Sequence, residues 1–343
     1  MKAPDHGSAL HAALDDLAQR GEGERLLAVG HRVVHGGTLY DEAREVSADL
    51  LAELRRWSSL DPDHLPAERA IIEAMAERAP HVPQVACFDT TFHRTMPRVA
   101  HLLAIPRRFE ASGVRRYGFH GLSYAFLMEE LTRVAGLEAA AGRVVLAHLG
   151  AGASLAAVAG GRPVDTTMGF TPASGVMMAT RSGNLDPGIL VHLMRTEGMG
   201  ADEIDDLVNR RSGLLGVSDS SADMAELLSR EGSDARAADA VSLFCYQVKK
   251  AVGALAAVLG GLDTLVFSGG IGENAPAVRG RIVRGLEHLG IRLDEPRNDA
   301  GAAVISTDGS GCVVRVVATD EESVIARETL RVMGTNVDEG ARS

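Results

Sequence analysis

Lysine is nearly missing from this chain. It occurs only at Lys2, Lys249 and Lys250, so any anion chemistry rests on arginine, histidine and backbone amides, and no GxxxxGK[ST] phosphate loop exists. Cysteine is equally sparse. Cys87, Cys245 and Cys312 lie far apart, without CxxC or Cys/His metal spacing, which excludes a disulfide framework and a zinc site and leaves each as a small buried apolar residue. No apolar run reaches the ~18 residues of a membrane span, and the start, MKAPDHGSALHAALDD, has neither the basic nor the apolar region of a signal peptide. A cytoplasmic location is expected. Clustered positive charge is also lacking. The net charge of −11 argues against nucleic acid or an anionic membrane as partner, although a phosphorylated substrate needs only a few local positive groups.

What is present is ample apolar residue, 45% of 343 positions, enough for two domains with a core in each. Residues 8–20, 44–57 and 66–78 carry apolar side chains at helical spacing, while LLAVGHRVVH and PQVACFDT read as buried strands. From Arg143 the pattern becomes three short strands, RVVLAHL, ASLAAVA and RPVDTTM, joined by glycine turns at 150–152 and 160–161, a meander that opens a new domain. Helices are expected at about 186–196, 202–209, 223–229 and 236–259. A strand, DTLVFS, then runs into GGIGEN and a helix. A last strand, CVVRVVAT, an acidic turn and a helix from Glu322 to Met333 follow, and the tail after Gly334 is expected to be disordered.

Six segments carry residues suited to chemistry. HLGAGAS is followed by strand pattern, so it is a hairpin and not a dinucleotide loop; its bare amides serve either a plain turn or close approach to a phosphate. LVFSGGIGEN empties an apolar strand into glycines and a helix start, which makes either a side-chain-free ledge for a nucleotide or a tightly packed helix entry. GHRVVHGG puts Arg32 at the end of a buried strand, where a guanidinium needs a carboxylate or an anionic ligand; Asp89 in CFDTTFH, at the end of another strand, is the natural partner. RRYGFHG sets His120 in a glycine-flanked turn, as hydrogen-bonded filler or as catalyst. MGFTPASGVMMATRSGNLDP, without apolar period, surrounds Arg181 and reads as an ordered functional loop. His93, Met177 and Met178 read as fillers.

In this order GHRVVHGG, CFDTTFH, RRYGFHG, HLGAGAS, VDTTMGFTPASGVMMATRSG, FSGGIGEN and TDEESVIARET resemble the signature segments of the acetate kinase family, from about residue 4 to 333. The resemblance implies an α/β fold of two duplicated actin-like (ribonuclease H-like) domains, the first incomplete at its N-terminus and formed by 1–93 plus 323–343, the second by 94–322. It implies transfer of the γ-phosphoryl of ATP to acetate with Mg²⁺, in a homodimer. Arg32 would bind the carboxylate, with Val34, His64, Phe119 and Pro172 beside the acyl group. Asp89, His120 and Arg181 would be catalytic. His148, Leu149, Gly150, Ala151, Gly152, Asp223, Gly270, Ile271, Gly272, Glu273 and Asn274 would contact ATP, and Glu321 would lie on the metal side.

Four departures qualify that inheritance. The family's opening strand and Asn-x-Gly-Ser-Ser-Ser-x-Lys turn has no counterpart here, which implies weak ATP binding and low turnover. Ala151 stands where the family usually has asparagine, and Ala225 where an arginine often touches the nucleotide. LDPDHLPAE replaces an apolar, asparagine-bearing segment, keeping His64 and placing Asp63 where leucine is usual. A kinase for propionate or butyrate, or a binding protein without turnover, are the alternatives.

Overall fold

The computed structural model describes residues 12, 14–16, 19–20, 26–58 and 64–334. The helix expected over 8–20 falls largely outside them, as do Asp63 and the tail after Gly334. The helices that carry the packing are α1 Ala48–Trp57, α2 Leu65–Arg78, α3 Gly121–Ala141, α4 Pro187–Thr196, α5 Ala201–Arg210, α6 Gly213–Ser218, α7 Met224–Arg230, α8 Ala235–Leu259, α9 Gly269–Asn274, α10 Pro276–Val283 and α11 Glu321–Val332. The chain divides into two compact units. Unit 1 combines the segment up to Arg94 with Phe119–Leu122 and the segment from Asp320; unit 2 combines Thr95–Gly118 with Ser123–Thr319.

Unit 1 is built on a three-stranded sheet in the order β1-β3-β2, with β1 Val29–Val33, β2 Arg44–Glu45 and β3 Gln84–Phe88. β1 runs parallel to β3, Val29 opposite Gln84 and Val33 opposite Phe88. The two strands therefore end at the same edge, and the ladder continues one step as Asp89 N–H donates to the Val33 carbonyl at 3.0 Å. Every residue of β3 is buried. α2 turns Leu65, Ile72 and Met75 inward, three side chains each worth roughly 1.5–3 kcal/mol on burial. α11 covers β1 closely enough that a side chain on Gly30 would collide with Ile325 and Thr329, which is why glycine stands in the middle of a strand. The helix expected from residue 44 begins at 48. Arg44 and Glu45 pair instead with Ala86 and Val85 of β3, and the Ser47 hydroxyl caps α1 by accepting from Leu50 N–H at 3.2 Å.

Unit 2 holds a five-stranded sheet in the order β6-β5-β4-β7-β8: β4 Arg143–Leu149, β5 Ala153–Ala159, β6 Arg162–Thr166, β7 Thr264–Ser268 and β8 Val313–Val316. β4, β5 and β6 form the expected antiparallel meander, while β7 and β8 add in parallel. β6 and β8 are shorter than their apolar runs suggest. α8 packs against β4 and β5 as well as α6, α7 and α10, and buries Ala237, Val241, Phe244, Val248, Val252 and Leu255, spaced by three or four. Asp234 caps its start and Gly260, at φ 71°, its end. α8 is long and apolar enough to cross a membrane by length and composition; here that apolar face lies on the sheet.

All three cysteines are free and buried. Burial pushes the thiols of Cys87 and Cys312 up to about 12 and that of Cys245 to about 11, so each is an inert core residue. The mixed α/β class with two separate sheets is the class read from the sequence.

Candidate active site

At the carboxyl end of β1 and β3 in unit 1, Arg32 and Asp89 meet across 57 positions of sequence. Arg32 donates from Nε to Asp89 Oδ1 at 3.1 Å and from Nη2 to Oδ2 at 2.6 Å, a bidentate pair of the strong kind. The Asp89 side chain is 1% exposed and the Arg32 side chain 42%. Arg32 is thus held by a buried carboxylate while its own side chain stays partly exposed. Glu321, at the first turn of α11, places Oε2 3.5 Å from Arg32 Nε. Asp89 and Glu321 keep Arg32 charged far above the usual range, the Asp89 contribution being the larger.

Unit 1 also holds Val34, His64, Phe119 and His120 of the predicted residues. The Val34 N–H donates to Glu68 Oε2 at 3.0 Å, and His64 sits at the N-terminus of α2 without capping it. Phe119 is buried edge-on against His35, centroids 5.5 Å apart, and its carbonyl accepts from His93 Nε2 at 3.0 Å. His93 therefore has a defined task in shaping the turn. His120 follows with φ 59°, the left-handed region, which is uncommon for a side-chain-bearing residue. The turn holds because Gly121 N–H donates to the Asp89 carbonyl at 2.8 Å, an approach that a side chain at Gly121 would block.

In unit 2 the hairpin 149–153 and the segment 268–274 come together because β4 and β7 are parallel, with His148 opposite Ser268. The hairpin is closed by Gly150 N–H donating to the Gly152 carbonyl at 2.9 Å. Gly269, at φ 76°, passes so close to the Leu149 backbone that no side chain fits there. α9 begins directly at Gly269, so Ile271 and Gly272 lie within its first turns. The ledge is not free of side chains: Glu273 Oε1 accepts from Gly269 N–H at 2.8 Å, and Asn274 donates to the Gly270 carbonyl at 3.0 Å. A short helix entered through a left-handed glycine, with no cap from Ser268, leaves its first amide to the nearest acceptor, which is Glu273. The buried Ser268 hydroxyl at this strand end has no partner among the described residues.

Behind the ledge lies a residue the sequence pattern does not reveal. Arg279 on α10 is 0% exposed and donates to the carbonyls of Gly272 and Glu273 at 2.9 and 2.8 Å, to Asn298 Oδ1 at 2.9 Å and to the Asn298 carbonyl at 2.7 Å. A buried cation ties down the end of α9 through neutral acceptors alone. The loop 167–186 is also ordered: Gly175 N–H donates to Asn184, Met177 N–H to Gln247 and Ser182 N–H to the Val208 carbonyl. Within it Arg181 reaches the Pro172 carbonyl at 3.5 Å, bringing two predicted residues together, while Met177 and Met178 are buried. Asp223 caps α7, Oδ1 accepting from Glu226 N–H at 2.9 Å, a folding duty that the expected ATP contact does not include.

Among the described residues no group of three acidic, histidine or cysteine side chains could hold a metal alone. Mg²⁺ needs only one or two carboxylates besides waters and substrate phosphates, and the partly exposed Glu321 fits that role.

Two solved structures with this fold carry the names of an acetate kinase and a propionate kinase. The crystal structure of Porphyromonas gingivalis acetate kinase superposes with a TM-score of 0.88 at 39% identity, covering 96% of this chain and 85% of that one. A propionate kinase from Francisella tularensis does so with 0.91 at 36%, covering 95% and 85%. Fold and site together define a phosphotransferase. The acetate kinase of Rhodopseudomonas palustris CGA009 is 49% identical over 90% of this chain and 77% of its own length, and that of Methylocella silvestris 47% over 97% and 82%. The description "Acetokinase family" matches residues 1–327, and the chain belongs to that family of ATP-using phosphotransferases.

Proposed function

We propose that this chain transfers the γ-phosphoryl group of ATP to acetate, giving ADP and acetyl phosphate. The observation that carries the reading is the bidentate Arg32–Asp89 pair, which fixes a half-exposed guanidinium at the strand ends of unit 1. A carboxylate is already ionised near neutral pH, so no general base is needed: one substrate oxygen attacks phosphorus, the bond to the β-phosphate oxygen breaks, and ADP leaves with that electron pair. Arg32 orients the carboxylate, and Asp89 orients Arg32. His120 and Arg181 are assigned the neutralisation of charge on the moving phosphoryl group. His148, Leu149, Gly150, Ala151, Gly152, Gly270, Ile271 and Gly272 face ATP with backbone, and Glu273 and Asn274 serve by shaping the ledge. Mg²⁺ held on the Glu321 side supplies charge neutralisation of the phosphates.

Steady-state assay with ATP, Mg²⁺ and acetate, propionate or butyrate, trapping acyl phosphate as the hydroxamate, tests this. Hydroxamate formation with acetate preferred is expected. Preference for propionate, in line with the Francisella relative, moves the substrate assignment; no hydroxamate with any acid overturns the reading.

The homodimer has its own support. α4 leaves Ile189, Val191 and Met194 between 43% and 49% exposed, with no buried residue along its length, an apolar helix that a second copy would cover. Light scattering is expected to give a dimer for the wild type and a monomer for Met194→Glu. A cytoplasmic location accords with this assignment.

A further inference from the structure

The carboxylate site of unit 1 has too much negative charge to take its substrate unaided. One cation, Arg32, faces Asp89 at 2.6 Å and Glu321 at 3.5 Å. A third carboxyl, Glu68 on α2, is fastened by Oε2 to the N–H of Val34, two residues beyond Arg32. With Glu321 given to the metal side, the fully ionised set of Arg32, Asp89 and Glu68 keeps an excess of one negative charge. A substrate carboxylate docking on Arg32 adds another in half-buried surroundings, where like charges within a few ångströms disfavour one another.

We propose that the substrate carboxylate enters together with a proton, and that Glu68 carries it. This rests on the assignment of Arg32 as the carboxylate anchor. Glu68 is the member of the set best placed for the task. Both Asp89 oxygens and Glu321 Oε2 are already turned to the Arg32 guanidinium. Glu68 uses one oxygen on Val34, and its second oxygen takes the proton and can then donate a hydrogen bond. Its surroundings agree. Burial, with Asp89 adding to it, pushes the Glu68 carboxyl up to about 7, against the opposing pull of Val34 N–H, of His64 at the start of its own helix, and of Arg32 on β1. A further negative charge at Arg32 pushes the same way as Asp89.

The step is a binding step, one proton moving from solvent to Glu68 as the carboxylate binds. Calorimetric titration of the full chain with acetate, in two buffers of different ionisation enthalpy, counts it. With the free-site value at about 7, uptake is expected to be about half a proton at pH ~7 and to approach one at pH ~8. The KM for acetate is expected to rise about tenfold per pH unit above ~7.5, with little change in kcat. Glu68→Gln keeps the acceptor for Val34 N–H and is expected to bind acetate with uptake near zero and a flat KM profile. His64→Gln is expected to keep the uptake. Acetate binding to the wild type without buffer-dependent heat overturns the proposal and leaves Arg32 as carboxylate anchor intact, and loss of uptake in His64→Gln but not in Glu68→Gln assigns the proton elsewhere. Absence of binding of any short carboxylate at any pH fails both readings. The wild-type measurement decides even where the Glu68 variant does not fold.

Discussion

The two units solve the same problem by different means. In unit 2 the interior strands β4, β5 and β7 are apolar and nearly all buried, and α8 seals them with aliphatic side chains. In unit 1 the three-stranded sheet is surrounded by buried polar groups: His31, His35, Asp89, Thr90 and His93. Apolar burial is additive and tolerant of small errors, whereas a buried ionic network works only when each member has its partner. The difference teaches that unit 2 is a platform and unit 1 carries the charge logic.

The sharpest challenge to that contrast is Arg279, a buried guanidinium inside the apolar unit. Arg279→Met removes donors from four acceptors and is expected to cost about 3–5 kcal/mol, read as a lower denaturation midpoint together with weaker nucleotide binding. A cost below about 1 kcal/mol would mean that the ledge is held by packing alone. Arg181→Ala, in the same unit, is expected to leave the thermal midpoint within a few degrees while turnover falls at least about a hundredfold, the modest end of arginine effects in phosphoryl transfer. Unchanged turnover would remove Arg181 from the mechanism.

Unit 1 is probed by the pair itself. Arg32→Ala, Asp89→Asn and the double variant form a cycle in which kcat/KM losses are expected to be non-additive by at least about 1 kcal/mol, because Asp89 acts through Arg32. Additive losses would separate the two residues. The smallest effect concerns pH and stability. The folded-state value of Glu68 is raised, from 4.5 to about 7, so the fold binds this proton more tightly than the unfolded chain does. Its contribution is fully present below the unfolded value and is lost as pH rises through about 7. Glu68→Gln is therefore expected to gain about 2–4 °C in midpoint relative to wild type between pH ~4.5 and pH ~8. An equal offset at both pH values would place Glu68 in a solvated position.

Much of this was legible beforehand, and the failures have causes. Strands β4 and β5 stand where the apolar runs begin and end, because period and glycine turns are local signals. The Arg32–Asp89 pair was foreseen from the cost of strand-end charges, which is physical and independent of distance along the chain. Glu68 is not legible in the sequence as a site residue, because a glutamate in the first turn of a helix usually serves the helix dipole; the approach of Val34 gives it another duty. Arg279, in PAVRGRIV, reads as an ordinary surface arginine until Asn298, 19 positions on, closes over it. Glu273 also closes its own helix by accepting from Gly269 N–H, a task that the motif does not show. The helix at 44–57 was overextended because Ser47 caps it and the two residues before pair with β3.

The account's central claim, direct transfer from ATP to a carboxylate oxygen, is tested most directly by isotope. Acetate carrying oxygen-18 in its carboxylate is incubated with the chain, ATP, Mg²⁺ and hydroxylamine, and the released inorganic phosphate is weighed by mass spectrometry. Attack by the carboxylate places the labelled atom between carbon and phosphorus, and hydroxylamine cleaves on the carbon side. The expected result is one labelled oxygen in each phosphate formed. Phosphate without label, alongside consumption of ATP, would show hydrolysis by water and contradict the claim.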